Sequence, residues 1–87
     1  MDTETVTRDG ILAVIAENAG AVVEGARGRE ITGEMSLRDD FGADSLEVVE
    51  VVSRSMKQLR IRVPRTELAK AANIKELVDV FEESAAV

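Results

Sequence analysis

The sequence contains no cysteine and no histidine, and its aromatic residues are only Phe41 and Phe81. Without cysteine there are no disulfides and no thiol nucleophiles, and without histidine the chain lacks the most common general base and metal ligand. We therefore expect no catalytic residue and no metal site. A core without tyrosine or tryptophan must consist of small aliphatic side chains, which suits a helical bundle.

The length of the chain limits the number of domains, and its net charge limits the kind of binding partner. A chain of 87 residues is long enough for one domain near the lower size limit of a self-sufficient core. We expect a single domain over residues 1–87 with an ordered core at about 6–83. Seventeen acidic residues against eleven basic ones give a net charge of −6, which argues against nucleic acid and favours partners with basic surfaces.

No long hydrophobic run is present either. The N-terminus lacks a charged segment followed by an apolar one, and no apolar run approaches membrane-spanning length. From this pattern we expect a cytoplasmic monomer that does not bind a membrane.

Apolar residues recur at helical spacing in two long segments. The spacing predicts a first helix over about 6–19 and a second over about 44–59. The apolar stripe of the second helix is Val48, Val52, Met56 and Leu59, with Val49 and Val51 on its flanks. Ser53 and Ser55 lie where an aliphatic residue would strengthen this stripe, and a buried serine there must bond a backbone carbonyl one turn back.

The C-terminal third predicts two further helices. Pro64 ends the preceding turn, and residues 65–70 predict one short helical turn around Leu68. Asn73 is the predicted cap of a last helix that ends near Glu83, with Glu76 three residues after the cap. The sequence thus predicts an all-α four-helix bundle with a short third helix and a long loop between helices 1 and 2.

The connections between the first two helices are less regular. Residues 21–29 contain two glycines and no sustained period, and predict a flexible connector. Residues 30–43 are long for a loop in so small a domain. Four apolar residues predict that this loop is anchored on the bundle: Ile31, Met35, Leu37 and Phe41. We expect residues 1–5 and 84–87 to fray.

The segment SLRDDFGADSLE at 36–47 carries the candidate site. Asp44 is placed to accept a hydrogen bond from the first-turn amides, with Glu47 three positions later as in a capping box. Ser45 then becomes the first helical residue, and its hydroxyl stands at a helix end that tolerates a phosphate group. Taken alone, the same residues are also typical of a simple helix cap.

Phe41-Gly42-Ala43-Asp44-Ser45-Leu46-Glu47, with Ile31-Thr32, Leu37 and Val63-Pro64, resembles the acyl carrier proteins over nearly the whole chain. In that family a transferase moves 4'-phosphopantetheine from coenzyme A to the serine with the help of magnesium, and the terminal thiol holds acyl groups as thioesters. The resemblance implies that Ser45 is the attachment site and that Asp44 helps to present it. The implied partners are a phosphopantetheinyl transferase and pathway enzymes such as an acyltransferase or a ketosynthase.

Acidic and apolar residues around Ser45 are candidate docking residues. The acids are Asp39, Asp40, Asp44, Glu47 and Glu50. They predict a surface for basic partners, although solvated surface carboxylates are the simple alternative. Leu46 is either an exposed contact for partners or a residue packed into the bundle.

The charge changes sign further along the second helix. No acid occurs in residues 51–66, whereas five bases do: Arg54, Lys57, Arg60, Arg62 and Arg65. In the acyl carrier proteins of fatty-acid synthesis, by contrast, the end of this helix and the following turn are acidic. Arg54 and Lys57 therefore suggest docking to the enzymes of a specialised, polyketide-type pathway, with fatty-acid synthesis as the other possible pathway. The alternative for the bases themselves is a solvated basic face.

Other functions remain open at this point. A peptidyl or aminoacyl carrier shares the fold and the prosthetic group, but Ala43-Asp44 before the serine argues against it. A helical interaction domain with an unmodified or phosphorylated serine is a second alternative. An enzyme is poorly supported because the usual acid, base and metal constellations are missing.

Overall fold

A computed structural model describes residues 7–85, which form four α-helices and one short 3₁₀ helix. The elements are α1 at Arg8–Val22, the 3₁₀ helix at Glu24–Ala26, α2 at Ser45–Leu59, α3 at Arg65–Leu68 and α4 at Ile74–Ala85. The predicted all-α bundle with a short third helix and a long loop is confirmed. Within the described part of the chain, no helix is long and apolar enough to cross a membrane.

Helix α1 extends further than the sequence predicts. Thr7 caps its start, where the Thr7 hydroxyl accepts a hydrogen bond from the Gly10 N–H at 3.0 Å. The predicted end at about residue 19 is wrong, because the helix passes through Gly20 and ends at Val22. The Val23 N–H then donates to the Ala19 carbonyl at 2.8 Å. Burial of Ala19 and Val23 against the core holds this last turn in place despite the glycine.

The connector at 21–29 is also more structured than predicted. It contains the last residues of α1 and the 3₁₀ helix, and it buries Val23 and Ala26. Two buried residues at a spacing of three are too few to produce a recognisable period. Gly25 lies so close to the backbone of Phe41 that a Cβ atom would clash with the Phe41 carbonyl oxygen. The connector therefore packs directly on the long loop.

The long loop at 30–43 is anchored as predicted. Leu37 and Phe41 are buried, and Ile31 and Met35 pack against the core. Two loop carbonyls also accept hydrogen bonds from the first turn of α4, Met35 from the Ile74 N–H at 2.9 Å and Gly33 from the Lys75 N–H at 2.7 Å. The first N–H groups of a helix have no acceptor within the helix. These two bonds supply acceptors for the first N–H groups of α4, and they also attach the loop to α4.

The start of α4 matches its prediction, and its end does not. The Asn73 side chain accepts a hydrogen bond from the Glu76 N–H at 2.8 Å, which confirms Asn73 as the cap. The helix continues to Ala85, so the expected fraying from Ser84 is wrong for the two residues described there. The fraying expected at residues 1–5 and at 86–87 lies outside the described residues.

The side of α2 that faces the core matches the predicted stripe only in part. Helix α1 packs against both α2 and α4, and α3 packs against α4. The buried residues of α2 are Val51, Val52 and Ser55, so Val52 of the predicted stripe is confirmed in the core. The other stripe residues are only partly buried, namely Val48, Met56 and Leu59. The prediction that Val51 flanks the stripe is therefore wrong. Hydrophobicity alone cannot separate the side of α2 that meets α1 from the side that lines a groove.

Candidate functional site

Ser45 is exposed and begins α2, as the sequence predicts. The Asp44 carboxylate accepts a hydrogen bond from the Glu47 N–H at 2.8 Å, and the Glu47 carboxylate accepts one from the Asp44 N–H at 3.1 Å. These reciprocal bonds form a complete capping box. They fix where the helix begins, and so they fix the position of the serine hydroxyl.

The turn before the serine depends on Gly42. Phe41 and Ala43 are both buried, and the exposed Gly42 between them has a φ of 73°. This left-handed conformation favours glycine because a side chain would be strained there. The Gly42 N–H donates to the Arg38 carbonyl at 3.0 Å, and the Ala43 N–H donates to the Leu37 carbonyl at 2.9 Å. The turn thus brings Ser45 to the surface from two buried anchors.

Arg38 lies against the serine and was not predicted as a site residue. Its Nη2 donates a hydrogen bond to Ser45 Oγ at 3.1 Å, across seven positions of the chain. The signal available in the sequence is a single base directly before Asp39 and Asp40, in a segment that is otherwise acidic. Recognising its partner requires knowing that the turn at Gly42 folds the chain back on itself.

Most of the predicted acidic docking residues have local structural partners. Asp40 accepts a hydrogen bond from the Ser36 N–H at 2.7 Å. Asp44 and Glu47 form the capping box, and Glu50 pairs with Arg54 at 3.0 Å. Asp39 and Asp40 are exposed next to this region. Helix capping and loop closure therefore account for the positions of these acids, while their charges remain accessible to solvent.

Leu46 does not pack into the bundle. Its side chain is 80% exposed, and Val49 one turn later is 58% exposed. Residues three apart lie on the same face of a helix, so the two form an apolar surface next to Ser45. The structure thus decides between the two possibilities for Leu46 in favour of exposure.

An open groove of about 710 Å³ runs from this surface between α2, α3 and the start of α4. Leu46 and Arg38 lie at one part of its wall, close in sequence and space to Ser45. Its deeper lining is mainly aliphatic and includes Val48, Val52, Met56, Leu68, Ile74 and Leu77. The volume is in the range that holds small ligands.

The basic residues lie toward the other end of α2. Arg54 pairs with Glu50, Lys57 is exposed in the last turn, and Arg60 caps the helix in a left-handed conformation with a φ of 58°. A helix of 15 residues is roughly 22 Å long, so the bases beyond the helix are well separated from Ser45. The predicted change from acidic to basic residues therefore occurs along the axis of α2, from its start at Ser45 toward its end.

Comparison with known proteins agrees with this geometry. Residues 9–81 match the model of the family described as "Phosphopantetheine attachment site". The chain is also 29% identical over 73 residues to the "Acyl carrier protein" of Rickettsia bellii (strain OSU 85-389), an alignment that covers 84% of each chain. No solved structure matches the chain significantly.

The family match assigns the class of a carrier domain to this helical bundle, and the exposed serine at the capped start of α2 is consistent with that class. The chain belongs to the acyl carrier protein family. The prosthetic group of that family is a covalently attached 4'-phosphopantetheine. The residues here fit such a group, because Ser45 Oγ is exposed, a guanidinium lies beside it, and the adjoining groove is aliphatic.

Proposed function

We propose that this protein presents acyl intermediates as thioesters on a 4'-phosphopantetheine arm attached to Ser45. The observation that carries the proposal is the exposed Ser45 hydroxyl at the first position of α2, held there by the capping box. A helix N-terminus favours the negative charge that a phosphodiester would bring.

The loading partner is a phosphopantetheinyl transferase that uses coenzyme A and magnesium. In this step Ser45 Oγ bonds to the phosphorus that bears pantetheine, the pyrophosphate bond of coenzyme A breaks, and the nucleotide part leaves. The serine proton passes to a base on the transferase. We assign the base to the transferase because this chain has no histidine and because the two carboxylates beside the serine serve the helix cap. Both Asp44 and Glu47 accept backbone hydrogen bonds there.

The loaded carrier then serves enzymes of the pathway, such as an acyltransferase or a ketosynthase. A tethered intermediate meets each docked enzyme at a high effective concentration, so the carrier needs no catalytic group. We assign docking to the exposed Leu46, to the acids Asp40, Asp44, Glu47 and Glu50, and to Arg54 and Lys57. The aliphatic groove beside Ser45 supports an acyl cargo.

The bases of α2 favour a specialised, polyketide-type pathway over fatty-acid synthesis. Lys57 and Arg60 place positive charge where a partner with a uniformly basic surface would be repelled. A partner whose own docking surface carries acids would fit this end of α2.

The test is to incubate the protein with coenzyme A, magnesium and a broad-specificity transferase and to measure its mass. The native chain should gain one arm, and Ser45→Ala should gain none. Ser53→Ala is the matched control, because Ser53 lies on the same helix but is half-buried in the groove, and it should load like the native chain. An unchanged mass of the native chain, or an arm on Ser45→Ala, would overturn the proposal.

A second experiment, which compares different cargo groups on the arm, distinguishes an acyl carrier from a peptidyl carrier. Once loaded, the arm can be charged with acyl or aminoacyl groups, and amide NMR shifts at Val48, Val52 and Met56 report whether the cargo enters the groove. Acyl chains should shift these signals because all three residues line the groove. Shifts with aminoacyl groups alone would favour the peptidyl carrier.

A further inference from the structure

We propose that Arg38 binds the phosphodiester of the prosthetic arm and holds the root of the arm at the mouth of the groove. This inference rests on the proposed attachment at Ser45. It adds a positioning residue to the site, one that acts on the attached group and takes no part in bond making.

The contact with Ser45 Oγ is the first argument. The phosphorus of the arm would be bonded to the same oxygen that now accepts the hydrogen bond from Arg38 Nη2 at 3.1 Å. The guanidinium therefore already lies next to the place where the phosphate oxygens must be. Its planar set of N–H donors can bind two of those oxygens at once.

The charge around the serine is the second argument. The phosphodiester would add a negative charge directly beside the Asp44 carboxylate, and Asp39 and Asp40 are exposed nearby in the chain. Within residues 7–85 the structure gives Arg38 no ion pair with any carboxylate. Its positive charge is therefore available to offset the negative charge of the phosphodiester. The turn at Gly42 places the Arg38 side chain next to Ser45 Oγ, where that charge would be.

The position of Arg38 also decides where the arm would start. Arg38, which contacts Ser45 Oγ, and Leu46, the residue after the serine, both line the groove. An ion pair at this point would restrict the phosphate to the groove side of α2. The first part of the arm would then lie over the aliphatic lining, while the thiol end stays free to leave for a docked enzyme.

The experiment compares unfolding of the apo and arm-bearing forms of three proteins, the native chain, Arg38→Gln and Arg62→Gln. Arg62 is exposed beyond the far end of α2 and gives the same change in net charge. Mass measurement first establishes the load on each protein. Attachment should raise the folding equilibrium constant of the native chain and of Arg62→Gln about threefold to fivefold more than that of Arg38→Gln.

Salt and a conservative variant separate an ion pair from a structural role. The extra stabilisation should shrink as salt rises, because exposed charges are screened. Arg38→Lys should keep part of it through its charge. Phosphorus NMR should show a shift of the phosphodiester signal in Arg38→Gln and none in Arg62→Gln.

Three outcomes would overturn the inference. If Ser45 is loaded but attachment stabilises Arg38→Gln as much as the native chain, Arg38 has only a structural role and the proposed function stands. If neither Arg38→Gln nor Arg38→Lys accepts the arm while Arg62→Gln does, Arg38 serves recognition by the transferase. If the native chain is not loaded, the attachment proposal and this inference fail together.

Discussion

The side-chain amide of Asn18 on α1 donates a hydrogen bond to Ser55 Oγ on α2 at 3.0 Å, and both residues are buried. The Ser55 hydroxyl in turn donates to the Val51 carbonyl at 2.8 Å, and the amide of Asn18 also donates to Gln58 Oε1 at 2.7 Å. No buried side-chain polar atom among the described residues lacks a partner. A satisfied polar link of this kind fixes how α1 and α2 align.

We expect Asn18→Ala to lower the free energy of unfolding by about 2 kcal/mol, because it removes two hydrogen bonds and leaves a small cavity. Ser55→Ala should cost about 1 kcal/mol, since Asn18 keeps its bond to Gln58. The double variant should cost less than the two single changes added together, because the residues share a bond. Urea unfolding measures all three, and additive costs would show that the link contributes nothing.

The capping box allows the structural and docking roles of Asp44 to be separated. Asp44→Ala removes the cap and should destabilise the protein by about 1 kcal/mol, whereas Asp44→Asn can still accept the Glu47 N–H and should cost little. If the charge of Asp44 also serves docking, Asp44→Asn should slow loading by the transferase even though the fold is intact.

Unfolding midpoints and initial loading rates are the two measurements for Asp44. Glu83→Gln is the comparison, because it removes an exposed charge of the same sign on α4, outside the capping box and the proposed docking residues. A normal loading rate for a stable Asp44→Asn protein would restrict Asp44 to its role as a cap.

Gly25 tests how tightly the connector packs on the long loop. Gly25→Ala should destabilise the protein by about 1–3 kcal/mol, because its Cβ would meet the backbone oxygen of Phe41 and the backbone must shift. Gly20→Ala is the matched control within α1, where the nearest atom to a new Cβ is the Ala26 carbonyl oxygen at 4.0 Å. That change should stabilise the protein by about 0.5–1 kcal/mol. Thermal unfolding that moved both variants equally would contradict the close contact.

The local chemistry of the sequence predicts the start of α2 because its determinants are adjacent. Asp44 and Glu47 satisfy each other's amides within four residues, so the position of Ser45 follows from the motif. The bond from Ser55 Oγ to the Val51 carbonyl confirms the prediction for a buried serine on α2, since this bond also spans only one turn. The four anchors of the long loop were predictable from hydrophobicity alone.

What the sequence could not predict depends on contacts between distant segments. The Arg38 contact with Ser45 requires the turn at Gly42, and the bond from Asn18 to Ser55 spans 37 positions. Gly25 of the 3₁₀ helix lies against the backbone of Phe41, a contact that no local sequence pattern indicates. Valine occurs on both sides of α2, with Val51 on the buried side and Val48 and Val52 on the side that lines the groove, so only the packed bundle distinguishes the two sides.

The bases at the end of α2 provide the last prediction, which concerns the choice of partner enzymes. We expect the triple change of Arg54, Lys57 and Arg60 to Glu to slow acyl transfer with the protein's own partner enzymes about tenfold. The reason is that the new glutamates would repel the acids on the docking surface of the partner. The change also breaks the Arg54 pair with Glu50 and puts acids at the negative end of the helix, so folding must be measured alongside. A matched triple change of Arg27, Lys70 and Lys75 to Glu gives the same net charge on exposed positions outside α2. Transfer rates that fall equally in both variants would reflect net charge alone, and rates that do not change would remove the basic end of α2 from docking.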